Sequence, residues 1–229
     1  MTRVVLLGAT GMVGQGVLRE ALLDTSVTSI LSIGRRPCGK EDPKLKEAVL
    51  KDPSDLSSVK EELANVDACL YCLGVSAAGM SEKDYIAVTK DMTLRVFDSL
   101  LAQNPAVRFL YVSGDGADAG SSLMWARIKG ETENALLARS PEGAFAFRPG
   151  LIEPRHGIKG QQSLLYKLLY AAAPALRGLR LPVTDTQAVG RAMLALAKRG
   201  SDKKILNNAD INRLAAAASR RRQRARDGK

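Results

Sequence analysis

Seven residues, Gly8-Ala9-Thr10-Gly11-Met12-Val13-Gly14, join a short apolar run to a segment with helical patterning. No other feature of this chain limits its fold so tightly. Residues 3–7 read as a buried strand, and residues 12–23 read as a helix because Val13, Val17, Leu18, Ala21 and Leu22 recur on one face. Glycines three apart between two such elements form a phosphate-binding turn. Gly8 permits the sharp bend, Gly11 lets the backbone approach a pyrophosphate, Gly14 allows the helix to pack closely, and the helix N-terminus supplies partial positive charge. Thr10, Met12 and Val13 belong to the same cradle and are expected to line it.

Strand-like and helix-like segments continue to alternate. Further strands are expected at residues 29–33, 47–50, 68–73, 107–113 and 144–147, and helices at 85–102 and 122–138. Beta-alpha alternation forces parallel strands with right-handed crossovers, hence an α/β, Rossmann-type doubly wound sheet. Beyond Gly150 the pattern weakens to a helix at 163–173, a turn around Pro182, a helix at 187–198 and a short strand near Ile205. The expected organisation is a dinucleotide-binding core over residues 1–150, a small substrate-side lobe over 151–215 packed on that core, and a basic, disordered tail over 216–229.

Ligands of such sheets bind beyond the carboxyl ends of the strands. An NAD-binding chain carries an acidic residue at the end of the second strand to hold the ribose 2′-hydroxyl; here Ser32-Ile33-Gly34 is followed by Arg35 and Arg36. Two guanidinium forks suit a 2′-phosphate, so NADP(H) is expected over NAD(H). Asp52, after the third strand, either accepts the adenine amino group or caps the turn into Pro53-Ser54-Asp55. Leu73 and Gly74 close the fourth strand, where bare backbone would let a ribose lie close.

The net charge of +10 is unevenly spread. Arg220, Arg221, Arg222, Arg224, Arg226 and Lys229 stand against Asp227 alone, which concentrates half of the surplus in the final eleven residues. Such a run reads first as a solvated end and only second as an arm for nucleic acid or anionic lipid. Cys38, Cys69 and Cys72 are too few for a disulfide framework and point to a reducing compartment. Cys69 and Cys72, three apart on a strand, face opposite sides and cannot share a metal. With no signal-peptide pattern and no apolar run approaching the ~20 residues that span a bilayer, a cytoplasmic protein without a membrane segment or metal is expected.

Four segments together resemble a known family: the glycine loop, Tyr111-Val112-Ser113-Gly114, Lys129 within Trp125-Ala-Arg-Ile-Lys129-Gly-Glu-Thr-Glu-Asn, and Arg148-Pro149-Gly150. They are similar to the short-chain dehydrogenase/reductase superfamily, and most to its atypical, NAD-dependent epimerase/dehydratase-like branch that includes the Tat-interactive oxidoreductase-like proteins. The resemblance runs from Arg3 to Leu214. It implies a catalytic Ser113 and a Lys129 that both serves catalysis and binds the nicotinamide ribose. The tyrosine that the family places four residues before the lysine is Trp125 here. An indole N–H donates a hydrogen bond but does not give up a proton, so the resemblance leaves the proton donor open, with Asp115, Tyr85 and His156 as substitutes. The implied function is an NADP(H)-binding oxidoreductase-like protein acting on a small carbonyl or hydroxyl substrate. The alternative is a non-catalytic NADP(H)-binding regulator or scaffold with a protein partner, nucleic acid entering only through the basic tail.

Overall fold

A computed structural model describes residues 1–159 and 182–227. In chain order the elements are β1 (Thr2–Leu7), α1 (Met12–Leu23), β2 (Val27–Gly34), β3 (Leu45–Val49), the short α2 (Lys60–Leu63) and β4 (Ala68–Tyr71). Then come α3 (Glu82–Ile86), α4 (Met92–Gln103), β5 (Arg108–Val112), α5 (Met124–Arg139), β6 (Ala144–Arg148) and β7 (Leu151–Glu153). The described part ends with β8 (Val183–Asp185), α6 (Thr186–Arg199), β9 (Ile205–Asn207) and α7 (Asn208–Asp227). Seven strands form one parallel sheet in the order β3-β2-β1-β4-β5-β6-β9, and β7 and β8 pair separately. The order reverses between β1 and β4, which opens a crevice at their carboxyl ends.

Alternation along β1 splits the core into two faces. Val4 and Leu6 join Val17, Leu18 and Ala21 of α1 and Val189, Met193 and Leu196 of α6. Val5 and Leu7 join Phe97, Phe109 and Tyr71 on the other side. Both faces are covered, so the central strands are apolar throughout rather than alternating.

The structure refines several sequence expectations. β2 and β3 each begin two residues earlier than their apolar runs, because Val27 pairs with Thr2 and Leu45 with Ile30 in the ladders. The helix expected at 85–102 is α3 and α4 joined by a π turn at Ala87–Asp91. The strand near Ile205 is the seventh strand of the main sheet, paired with β6, and α6 is part of the core packed on α1. The helix expected at 163–173 lies outside the described residues. The disordered tail is a correction: α7 continues to Asp227, held to α1 by Arg222, whose guanidinium donates to the Leu23 carbonyl and pairs with Glu20. Among the described residues, no helix is long and apolar enough to cross a membrane.

Candidate dinucleotide and reaction site

The glycine loop bends where β1 ends. Gly8 has φ +88°, a left-handed conformation that L side chains resist, and an added Cβ would lie 2.7 Å from the Cys72 carbonyl carbon. Gly14 meets the same turn from the helix side, where a Cβ would fall 1.9 Å from the Gly8 carbonyl oxygen. Strand, turn and helix are thus locked together by backbone contact. Gly11 is the N-cap of α1, no side chain caps it, and no acidic residue occupies the first turn. The start of α1 is the positive end of the helix, the setting in which a pyrophosphate is bound.

Beside this turn lies a cleft lined by Gly8, Thr10, Ser32, Arg35, Arg36 and Leu73. Arg35 and Arg36 are exposed at its rim, and among the described residues neither has an ion-pair partner. Asp52 does not line the cleft. Its carboxylate accepts from the Ser54 amide at 2.9 Å and the Ser54 hydroxyl at 2.7 Å, bonds that hold its pKa below the usual value. Of the two roles open for Asp52, the structure therefore displays the turn, and it is the adjoining Pro53 that reaches the cleft. Gly74 is exposed, with no atom within 4 Å of where a Cβ would stand. This set fits a dinucleotide: a backbone turn for the diphosphate, cations for a further phosphate, and open backbone after β4.

A second corner forms where β5 meets α5. The Lys129 ammonium donates to the Ser113 carbonyl at 3.0 Å and stands over the Tyr111 ring at 5.7 Å from its centre. Burial pushes its pKa down to about 8, partly opposed by the Glu133 carboxylate one helical turn away. Among the described residues, the buried Ser113 hydroxyl has no hydrogen-bond partner. Trp125 lies against the loop that follows β5, close enough that a methyl added at Gly116 would meet its indole at 3.5 Å.

The substitute proton donors separate. Tyr85 is 1% exposed, and burial raises its phenol pKa, so it is a core residue rather than a group at an open mouth. Asp115 is exposed on the Ser113 loop, its amide donating to the Pro149 carbonyl at 2.9 Å. His156 sits at φ +56°, its ring 3.0 Å from the Gln187 amide, in a cavity beside α1 with Ala9, Gln15, Leu18 and Cys38. It belongs to the glycine-loop corner and does not line up with Ser113 and Lys129.

Sequence reasoning missed Glu133. It is 1% exposed, and its carboxylate takes a two-pronged pair from Arg148, whose Nε lies 3.0 Å from each oxygen. The signal was available: Glu133 follows Lys129 by four residues, which puts both on one face of a helix. The Arg148-Pro149-Gly150 motif thus anchors the strand after the site to the helix that carries Lys129.

Residues 4–121 match the NAD dependent epimerase/dehydratase family. The mitochondrial protein fmp52 of Emericella nidulans is 31% identical over 159 residues, 66% of this chain and 67% of that one. Protein HTATIP2 of Rattus norvegicus is 26% identical over 65% of this chain and 62% of its own length. The chain thus spans about two thirds of the length of these curated relatives. In fold, the Bordetella bronchiseptica enzyme WbmF, crystallised with NAD+, superposes with TM-score 0.65 at 14% identity, covering 96% of this chain and 78% of that one. The chain belongs to the NAD-dependent epimerase/dehydratase family.

Proposed function

We propose that the chain binds NADP(H) and acts as an oxidoreductase on a small carbonyl or hydroxyl substrate, with Ser113 and Lys129 as its working residues. One observation carries this reading: among the described residues the buried Ser113 hydroxyl has no partner, and it stands beside the desolvated Lys129 on the sheet edge that also carries the glycine loop. Burying an unpaired hydroxyl costs free energy, and a substrate oxygen would satisfy it. A bound nicotinamide dinucleotide would supply or accept the hydride. The Gly8–Gly14 turn would hold its diphosphate, Arg35 and Arg36 its 2′-phosphate, and Leu73 and Gly74 its adenosine side. Lys129 would donate to the nicotinamide ribose hydroxyls, a task its three N–H groups perform without a tyrosine.

Trp125 supports a second reading, a non-catalytic NADP(H)-dependent regulator that contacts a protein partner, since the indole supplies no proton where the family uses a phenol. Consumption of NADPH in the presence of a carbonyl panel separates the two, and abolition of that consumption by Lys129→Ala is the outcome expected for an enzyme. Binding is tested first: NADPH at a hundredfold over its Kd stabilises by about 2.7 kcal/mol, and NADH is expected to give less. Should the Arg35→Ala/Arg36→Ala double variant keep the NADPH preference, the 2′-phosphate assignment fails. The free thiols Cys38, Cys69 and Cys72 support a reducing compartment, cytoplasmic or, as the Emericella relative's name has it, mitochondrial.

A further inference from the structure

The arginine-rich segment has no role in the cofactor reading, and the structure turns it from a tail into a surface. α1 runs from the glycine loop at the carboxyl edge of the sheet to Asp24 at the opposite edge, about 18 Å away for twelve residues. At that far end α1, α6 and α7 enclose a cleft of roughly 210 Å³. Arg191, Lys198, Arg199, Arg221 and Arg222 line it, against the carboxylates of Glu20 and Asp24.

The acids are fully engaged. Glu20, buried at 1% exposure, pairs with Arg19, Arg191 and Arg222, the Arg191 contact at 2.9 Å. Asp24 pairs with Lys198 at 2.5 Å, and that bond, with those from Ser26, holds its pKa down against the burial that raises it. Ser219 accepts from Arg191 at 2.7 Å. These contacts hold α7 to the core and use the negative charge from inside. Arg199, Arg220, Arg221 and Arg224 are left without a hydrogen bond or ion pair among the described residues. Arg220 and Arg224, four residues apart, sit about 6 Å from each other along the helix axis.

We propose that this face, built by the end of α6 and the second half of α7, binds the phosphate backbone of double-stranded nucleic acid. The chemistry selects that occupant. Neither α6 nor α7 contains a Phe, Tyr or Trp, so unpaired bases find no stacking platform. Neither helix exposes a large apolar side chain among the described residues, and Leu23 beside Arg222 is a single one, short of the apolar face that an interfacial helix buries in a bilayer. What remains is a cluster of unpaired guanidiniums carried on two packed helices, which position on phosphates without reading sequence.

The full chain is titrated into a fluorescent duplex of about 20 base pairs, with the single strand and vesicles containing phosphatidylglycerol in parallel, across a salt series. Duplex binding is expected to weaken roughly a hundredfold between about 50 and 200 mM salt, as about four phosphate contacts require. The triple variant Arg199→Ala/Arg221→Ala/Arg224→Ala removes exposed, unpaired side chains, so it should melt like the parent and keep its NADPH-induced stabilisation while losing at least tenfold in duplex affinity. Arg35→Ala/Arg36→Ala, at the other end of α1, should bind duplex normally. The proposal is overturned if the triple variant binds as the parent does, if the Arg35/Arg36 variant loses binding instead, or if vesicles or single strands are preferred over the duplex.

Discussion

The glycine-loop corner and the Ser113–Lys129 corner occupy the same edge of one sheet, yet they are built on different principles. At the first, the groups proposed to hold the ligand are backbone, and the geometry is enforced by contacts among Gly8, Gly14 and the Cys72 carbonyl. At the second, under the proposed function, they would be side chains, with Trp125 standing where the resemblance implies a tyrosine. Backbone sites tolerate sequence drift at every position except the glycines. Side-chain sites lose a function with a single substitution, so an unchanged cradle and an altered proton donor can coexist in one molecule.

The sharpest way to break that contrast is Gly14→Ala. Its Cβ would stand 1.9 Å from the Gly8 oxygen, and its nearest neighbours are all backbone atoms of Gly8 and Ala9, with no flexible side chain to give way. We expect a loss of at least about 3 kcal/mol in stability, read by chemical denaturation, together with loss of NADPH-induced stabilisation. A well-folded variant with normal cofactor binding would show that the cradle does not depend on this contact.

Trp125→Tyr tests the other corner and is the next largest effect. It restores a phenol one helical turn from Lys129, and positioned proton transfer contributes about 10²–10⁴ in rate. NADPH oxidation with the best member of a carbonyl panel should rise at least about a hundredfold. An unchanged rate would mean that proton donation does not limit this corner, which would favour the regulator.

The two corners were also unequally legible in the sequence. The cradle was readable because its signal is local: seven consecutive residues between a strand pattern and a helix pattern. The Lys129 corner depends on pairs far apart in sequence, such as Glu133 with Arg148, which only the crossover from α5 to β6 brings together. Tyr85 looked like a donor because an aromatic hydroxyl near a sheet edge is chemically able, and burial, which a single residue type does not reveal, removed it. The error over residues 216–227 has a different origin. Arginine-rich composition reads as solvated, yet Ala and Arg are among the strongest helix formers, and Ile211 and Ala215 bury one face of α7. What decides for order is Glu20, whose need for counter-charges inside the protein is met partly by Arg222, two hundred residues on.

Lys129→Met asks whether the lysine is as desolvated as its position implies. Its pKa is about 8 in the folded chain and 10.5 in the ordinary state. Below pH 8 both folded and unfolded chains carry the charge, so folding bears the full cost of burying it. Between pH 8 and 10.5 the unfolded chain binds more protons, and the parent gains stability as pH rises. The methionine variant should therefore be more stable by roughly 2–3 kcal/mol near pH 7. That advantage should shrink through the alkaline range, and a difference independent of pH would place the ammonium in water.

Ser113→Ala should give the smallest effect and the most telling sign. The hydroxyl has no partner among the described residues, whereas the Ser113 amide and carbonyl are bonded to Phe147 and Lys129 and would be untouched by the change. Removing an unpaired buried hydroxyl should leave stability unchanged or raise it by about 1 kcal/mol, opposite to the usual effect of a core substitution. If turnover or substrate affinity falls at the same time, the residue is kept for a ligand oxygen at the expense of the fold, the pattern expected of a working site. If stability falls instead, the hydroxyl has a structural partner, and the reaction corner would lose the observation that distinguishes it from an ordinary helix–strand contact.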